Sequence, residues 1–155
     1  MPTITPPIDT IVTIGVGEVT QTRHRPAHQR LRQDGLLQRT AYLDLQPECP
    51  FPLLAGEEYV PLSTDCVVPF DVLAQRQLLG PHVLLTVATP TRFHVLYAKE
   101  MLGAVGRIAV EKPLALQLAA AESLVPFSDV VYAIAHSLWK TEMLTFLTTV
   151  KEAGL

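Results

Sequence analysis

IVTIGVGEVT, residues 11–20, is the stretch of sequence that decides the fold. Its first four residues are β-branched and predict a short buried strand. Gly15 and Gly17 then form a G-x-G turn, and a polar segment with helical character, Glu18–Gly35, follows directly. A strand that enters a helix through paired glycines is the beginning of a βαβ unit. We therefore expect the rest of the chain to add parallel strands to this first one.

Five further apolar runs have the length of strands, and helical patterns separate most of them. The runs are Ala41–Leu45, Tyr59–Leu62, Val83–Ala88, Ile108–Val110 and Val130–Ala135. Apolar residues at helical spacing begin at Phe70, Phe93, Leu116 and Met143, and Pro26 predicts a kink in the first helix. Near-continuous apolar strands that alternate with helices predict an α/β fold. We expect a Rossmann-type, doubly wound parallel sheet of about six strands in a single domain.

The composition indicates one globular domain that occupies residues 1–155. Its 48% hydrophobic and 17% charged residues, with a net charge of −3, argue against a nucleic-acid partner. No apolar run approaches the roughly 20 residues that cross a bilayer, and Met1–Thr10 lacks a signal-peptide pattern. Cys49 and Cys66 have no zinc-type spacing, and the five histidines form no metal-ligand grouping. We therefore expect a cytoplasmic protein with reduced thiols, no membrane contact and no metal.

The glycine turn predicts a binding site for a dinucleotide. Gly15 permits the tight turn, and Gly17 lets a diphosphate approach backbone N–H groups at the start of a helix. Val19 lies in the same turn. The third glycine of the G-x-G-x-x-G pattern is Thr20 here, and Glu18 would repel a diphosphate if it pointed inward. An ordinary glycine turn between a strand and a helix is the alternative interpretation.

A carboxylate near the end of the second strand is the next candidate. Asp44 is placed to accept hydrogen bonds from the hydroxyls of a ribose, which favours NAD because a 2′-phosphate would be repelled. A strand-end aspartate that caps a turn is the alternative. Several arginines could bind a 2′-phosphate and leave NADP as an alternative cofactor, although a solvated basic face explains them as well. They are Arg39 and, in the first helix, Arg23, Arg25, Arg30 and Arg32.

Two short motifs follow in the second half of the chain. VATPT, residues 87–91, ends the fourth strand, and VEKPLA, residues 110–115, ends the fifth. Together with the glycine turn, in this order and spacing, they resemble the glucose–fructose oxidoreductase / inositol dehydrogenase (Gfo/Idh/MocA) family of NAD(P)-dependent enzymes. The resemblance extends over nearly the whole chain. It implies a Rossmann domain that binds NAD or NADP.

The resemblance also implies roles for single residues. Lys112 would contact substrate beside the nicotinamide, Thr89 and Pro90 would line the cofactor, and Glu111 would help to hold the site. The chemistry agrees, because a lysine at the carboxyl end of a parallel strand can hydrogen-bond a substrate hydroxyl and favour loss of its proton. Pro113 fixes the turn that carries this lysine. A solvated loop lysine is the alternative.

AHSLWKTE, residues 135–142, follows the sixth strand. It looks like the D-H-Y-L-G-K-E segment of glucose-6-phosphate dehydrogenases, in which the histidine and the lysine hold the sugar phosphate. His136 and Lys140 match that segment, whereas four residues depart from it: Ala135, Ser137, Trp139 and Thr141. The resemblance therefore implies that His136 and Lys140 join Lys112 on the substrate side, with the substrate itself open. A capping or core histidine is the alternative for His136.

In the resembled family a second α+β domain follows and shapes the substrate pocket, and we expect it to be absent from residues 1–155. The chain is then the NAD(P)-binding domain of an oxidoreductase that moves a hydride between nicotinamide and a sugar or polyol. The alternative is a non-catalytic nucleotide-binding or interaction module of the same fold. The sequence leaves open whether the chain forms a homo-oligomer.

Overall fold

The computed structural model describes residues 7–63 and 69–134 and contains one sheet of six parallel strands. The strands are β1 (Thr10–Ile14), β2 (Arg39–Asp44), β3 (Glu57–Pro61), β4 (Gly80–Val87), β5 (Val105–Val110) and β6 (Val131–Ala133). Their order across the sheet is β3-β2-β1-β4-β5-β6, and every neighbouring pair is parallel. This is the doubly wound Rossmann order. The predicted fold class is confirmed.

α-Helices lie between consecutive strands, except between β2 and β3. They are α1 (Arg25–Gln33), α2 (Phe70–Gln75), α3 (His94–Glu100) and α4 (Leu118–Glu122), and short 3-10 turns, Thr91–Phe93 and Val125–Phe127, precede α3 and follow α4. The apolar stripe predicted from Leu116 is wrong at its start, because Leu116 is 72% exposed and the helix begins only after the extended Gln117. No helix in the described ranges is long and apolar enough to span a membrane. The helical pattern that begins at Met143 lies outside those ranges, and so does Cys66.

The first helix is irregular just before Pro26. Residues Thr20–His24 form a π-helical turn that continues directly into α1, and the N–H of Arg25 bonds the carbonyl of Thr20, five residues earlier. Proline has no N–H to place in an α-helical ladder, so a wider turn ahead of Pro26 accommodates it. The predicted irregularity is therefore a π turn rather than a sharp kink. Two residues of this turn, Thr20 and His24, are buried.

The two faces of the sheet differ in polarity, because successive strand residues point to opposite sides. The face under α2 and α3 is apolar and forms the main core with residues such as Val12, Leu43, Leu85 and Ile108. The face under α1 carries polar residues that are equally buried: Thr13 on β1, Thr40 and Tyr42 on β2, Thr86 on β4, and His24 and His28 from the helix. The polar face is the one that the first helix covers.

Gly15 is required by the backbone itself. Its φ is +95°, and a Cβ built on it would lie 2.4 Å from the carbonyl oxygen of Ala88, the residue that follows β4. A backbone hydrogen bond of 2.8 Å from the N–H of Ala88 to the carbonyl of Ile14 fixes this contact, and another of 2.8 Å from the N–H of Gly15 to the carbonyl of Leu43 joins the same turn to β2. Only a residue without a side chain permits this approach of the first turn to β4.

Replacing Gly15 with alanine should destabilise the fold far more than the same change at Gly103. Both glycines have a positive φ, but no described atom lies within 4 Å of a Cβ built on Gly103. Gly103→Ala should therefore cost about 1–2 kcal/mol of unfolding free energy for the backbone conformation alone. Gly15→Ala adds the clash with Ala88 and should cost more than about 3 kcal/mol. Urea unfolding measures both, and equal losses would contradict the account.

Candidate functional site

The strand register brings the sequence-predicted residues to one edge of the sheet. Ile14 pairs with Leu43 on one side and with Val87 on the other, and Val87 pairs with Val110. The residues that follow these strand ends therefore emerge side by side at the carboxyl edge: Gly15, Asp44, Ala88 and Glu111. Neighbouring strands lie about 4.8 Å apart, so the first turn and the Glu-Lys-Pro turn are separated by roughly 10 Å. Ligands of open α/β sheets bind in such a crevice.

Asp44 is tied to the glycine turn. Its Oδ2 accepts a hydrogen bond of 2.5 Å from the N–H of Val16, and its Oδ1 accepts one of 3.1 Å from the N–H of Gln46. The bond from Gln46 is the turn cap that the sequence offered as the alternative for Asp44. The bond from Val16 links the end of β2 to the first turn. Each carboxylate oxygen offers two lone pairs, so acceptor capacity remains for hydroxyl groups of a ligand.

Thr20 occupies the place of the third glycine without loosening the turn. Its side chain is fully buried, and its Oγ1 donates a hydrogen bond of 2.7 Å to the carbonyl of Gly15. Gln21 adds a bond of 2.9 Å from its Nε2 to the carbonyl of Val16. Val19, half-buried, stands at the start of the helix, and Glu18 is exposed beside it. The departure at Thr20 is thus compatible with close packing of the helix on β1.

Gly17 differs from Gly15 because nothing in the described chain requires a glycine there. No described atom lies within 4 Å of a Cβ built on Gly17, and Gly17 is not among the glycines with a positive φ. The residue is exposed at the crevice. This open space at the start of a helix fits the diphosphate of a dinucleotide. In the turn after β4, the Oγ1 of Thr89 is buried without a hydrogen-bond partner among the described residues.

The Glu-Lys-Pro turn presents its lysine and buries its glutamate. Glu111 is 6% exposed; its Oε2 accepts a hydrogen bond of 3.1 Å from the N–H of Lys112, and its Oε1 lies 2.7 Å from Nε2 of His24. Lys112 and Pro113 are both exposed at the carboxyl edge. The buried carboxylate therefore anchors the turn, and the exposed lysine is free of the packing that would restrict it.

His94 contacts both motif turns, and the sequence reasoning missed it. It is the first residue of α3 and is 1% exposed. Its Nε2 lies 2.7 Å from the carbonyl oxygen of Thr89, and its Nδ1 lies 3.0 Å from the carbonyl oxygen of Pro113. Its position in the sequence was the feature that pointed to it, because His94 lies four residues after Pro90 and on the same helix face as the buried Tyr97 and Ala98.

A chain of buried polar groups runs beneath the first helix and was also missed. The rings of His24 and His28 lie 6.3 Å apart, and Nδ1 of His28 lies 3.2 Å from the hydroxyl of Tyr42. Burial, reinforced by the nearby His24, lowers the pKa of His28 to about 4 against the small opposing effect of Glu57. Burial also raises the pKa of Tyr42. Two histidines at i and i+4 in a helix were the available signal.

The arginines considered for a 2′-phosphate are engaged elsewhere or exposed. Arg25 pairs with Glu57 at 2.8 Å and lies over the ring of Phe51, and Arg32 bonds the carbonyl of Ala55. Arg39 pairs with Glu58 at 2.6 Å and is the first residue of β2, whereas Asp44 is the last. Arg39 therefore lies at the amino edge of the sheet, away from the crevice. Arg23 and Arg30 are exposed on the helix. His136 and Lys140 lie outside the described residues.

Comparison with known proteins agrees with this geometry. The family model GFO_IDH_MocA, an oxidoreductase family with an NAD-binding Rossmann fold, matches residues 10–129. The chain belongs to this family. No curated protein sequence matches the chain. Membership of the Gfo/Idh/MocA family identifies the described sheet as its NAD-binding domain.

Solved structures share the fold at low sequence identity. The WlbA dehydrogenase from Bordetella pertussis, in complex with NADH and UDP-GlcNAcA, is 21% identical with a TM-score of 0.68; the match covers 97% of this chain and 43% of that one. The scyllo-inositol dehydrogenase from Lactobacillus casei, with bound NAD(H) and scyllo-inositol, is 13% identical with a TM-score of 0.64; the match covers 95% and 42%. The chain thus spans less than half the length of either structure.

Replacing His28 with glutamine should make the free energy of unfolding depend less on pH on the acid side of neutrality. His28 has a pKa of about 4 in the fold against 6.5 as its ordinary value, so between these values the unfolded chain binds a proton that the fold excludes. The free energy of unfolding should therefore fall as pH drops through this window, by on the order of 3 kcal/mol. Urea unfolding at several pH values measures the slope.

The matched control for this experiment is His82→Gln, which changes a histidine at the start of β4, away from the buried polar groups. We expect the control to keep the slope of the wild-type protein between pH 6.5 and 4, and His28→Gln to lose most of it. Identical slopes in the two variants would show that His28 does not exclude a proton in the fold.

Proposed function

We propose that this chain binds NAD(H) at the carboxyl edge of its sheet, as part of an oxidoreductase that acts on a hydroxyl or carbonyl group of sugar or polyol type. The observation that carries the proposal is the pair of glycines. The fold itself requires Gly15, whereas Gly17 leaves open space where a diphosphate would approach the helix start. The Gfo/Idh/MocA family match and the NADH-bound relatives support the choice of cofactor.

The crevice offers complementary groups for each part of the cofactor. The turn of Gly15, Gly17 and Val19 would hold the diphosphate, and Asp44 would accept hydrogen bonds from the ribose hydroxyls. Thr89 and Pro90 would line the nicotinamide side. The carboxylate of Asp44 disfavours a 2′-phosphate, and Arg39 lies at the opposite edge of the sheet. These two positions favour NAD over NADP.

On the substrate side, the proposal assigns Lys112 to the reacting hydroxyl. Its exposed ammonium group would hydrogen-bond the substrate oxygen and favour loss of the hydroxyl proton. Glu111, bonded to the N–H of Lys112, would keep the turn in place. When bound, the nicotinamide supplies the acceptor or donor of a hydride. His136 and Lys140 are proposed for the same side.

The whole enzyme would need more than this chain, because the chain covers less than half of its solved relatives. A further domain that closes the crevice would exclude water and orient the substrate. The substrates named in those structures, UDP-GlcNAcA and scyllo-inositol, are sugar or polyol derivatives, which supports that substrate class. We also propose a cytoplasmic location for the protein.

The Gly17→Val variant separates cofactor binding from folding. A Cβ built on Gly17 meets no described atom and the residue is exposed, so the free energy of unfolding should change by less than about 1 kcal/mol. It would fill the space proposed for the diphosphate, so the Kd for NADH should rise at least about tenfold, which corresponds to ~1.4 kcal/mol. Calorimetry with NADH, and urea unfolding of the same samples, measure both quantities.

The matched control is Lys112→Ala, which alters the substrate side of the crevice and should leave the affinity for NADH nearly unchanged. The same titration with NADPH tests the role of Asp44, and binding weaker than that of NADH is expected. No heat from the wild-type protein at millimolar NADH and NADPH would defeat the proposal. Binding of NADH by a protein that never turns over a substrate would favour the non-catalytic alternative.

A further inference from the structure

The π-helical turn of the first helix carries two buried side chains, and each contacts a different loop at the carboxyl edge of the sheet. The Oγ1 of Thr20 donates a hydrogen bond of 2.7 Å to the carbonyl of Gly15 in the glycine turn. The Nε2 of His24 lies 2.7 Å from Oε1 of Glu111 in the Glu-Lys-Pro turn. One helical turn therefore contacts both the loop proposed for the cofactor and the loop proposed for the substrate.

The contact between His24 and Glu111 continues to the backbone of Lys112. One carboxylate oxygen of Glu111 faces the ring of His24, and the other, Oε2, accepts a hydrogen bond of 3.1 Å from the N–H of Lys112. His24 and Glu111 are both buried, at 9% and 6% exposure. A buried carboxylate that loses a hydrogen-bond partner is costly, so this pair should keep a single geometry in the fold.

The link requires only that Nε2 of His24 carries a proton. An ionised carboxylate accepts hydrogen bonds, and an imidazole with a proton on Nε2 donates to it whether the ring is neutral or charged. The Nδ1 of His24 is buried and has no hydrogen-bond partner among the described residues. Within that part of the chain, the ring is therefore held through Nε2 and Glu111.

We propose that His24 is a positioning residue, which holds the Glu111 carboxylate, and through it the backbone at Lys112, against the helix that begins at the glycine turn. Short π-helical turns are frequent at functional sites, and this one joins two loops of the crevice. The inference rests on the proposed function for its consequence, because the relation of the loops matters if cofactor binds at one and substrate at the other. The role is one of position rather than catalysis, because His24 acts through Glu111.

Hydrogen exchange at the backbone amide of Lys112 tests this link without any ligand. The amide donates to Glu111, and its intrinsic exchange rate does not depend on residue 24, which is distant in sequence. His24→Leu removes the donor to Glu111, so the Lys112 amide should exchange at least about tenfold faster, the size of a hydrogen bond to a charged group. The amide of Ala88, which bonds the carbonyl of Ile14 at the same edge, is the internal reference and should change far less.

Two further variants separate the link from a general loss of packing. His24→Gln keeps an N–H donor close to the position of Nε2 and should restore most of the protection at the Lys112 amide. His28→Gln alters the buried histidine one turn further along α1, which contacts Tyr42, and should leave the ratio of the Lys112 and Ala88 exchange rates unchanged. Wild-type exchange at Lys112 in His24→Leu, or equal acceleration of both amides, would overturn the proposal.

The Lys112 amide also reports whether the two loops open as one unit. ADP is the probe, because it carries the diphosphate and ribose proposed for the glycine turn and Asp44 but lacks the nicotinamide that could touch Lys112 directly. At about ten times its Kd, ADP should slow the opening of a unit that binds it about tenfold. This slowing should appear at the Lys112 amide in the wild type and in His24→Gln, and it should be absent from His24→Leu.

The outcomes for the two proposals are distinct. Equal slowing by ADP in His24→Leu and in the wild type would overturn the positioning role while leaving the proposed function standing. A wild-type protein that binds neither ADP nor NADH would defeat the proposed function, and the ligand-free exchange rates would still decide the role of His24.

If His24→Leu fails to fold, NMR of the wild-type protein labelled with 15N-histidine decides the role of His24, with His24→Gln to assign its signal. We expect a proton on Nε2 of His24 that is protected from exchange with water, because that proton lies against the Glu111 carboxylate. An Nε2 that carries no proton, or that exchanges its proton freely, would overturn the proposal.

Discussion

The close approach of Gly15 to the carbonyl of Ala88 is the constraint on which the rest of the structure depends. It holds the first turn against the end of β4, and the strand register then places the Glu-Lys-Pro turn one strand further along. A side chain at Gly15 would separate β1 from β4 at the edge where their loops form the crevice. The backbone bonds from Gly15 to Leu43 and from Ala88 to Ile14 make this edge a continuous surface of loops.

Buried histidines hold this edge from both faces of the sheet. From the polar face, His24 bonds Glu111; from the apolar face, His94 bonds Pro113 and Thr89. Lys112 thus stands between two residues that are each fixed by a buried ring. Polar groups in a core are costly unless they are satisfied, so the polar face under α1 is a feature that packing alone does not explain. His24 of this polar face bonds Glu111, the neighbour of the exposed Lys112, and this contact links the fold to the proposed chemistry.

The sequence predicted the fold, and it predicted that several candidate site residues lie at one edge of the sheet, because both follow from where the strands end. Apolar runs marked the six strands, and Gly15, Asp44, Thr89 and Glu111 lie at or just after the ends of strands that meet at one edge. The sequence could not predict the contacts of His24 and Glu111, since 87 residues separate them and only the folded sheet brings them together. The π turn that contains the buried His24 depends on backbone geometry near Pro26. The role of Arg39 was equally hidden, because its partner Glu58 belongs to another strand.

The central claim, that a dinucleotide binds across the carboxyl edge, is tested most directly by titrating NADH into the 15N-labelled protein and following its amide signals. The account predicts the largest shifts at Gly17, Glu18 and Thr89, which line the crevice, with the amide of Arg39 at the amino edge unchanged. Shifts centred on the amino edge, or none at saturating NADH, would contradict it.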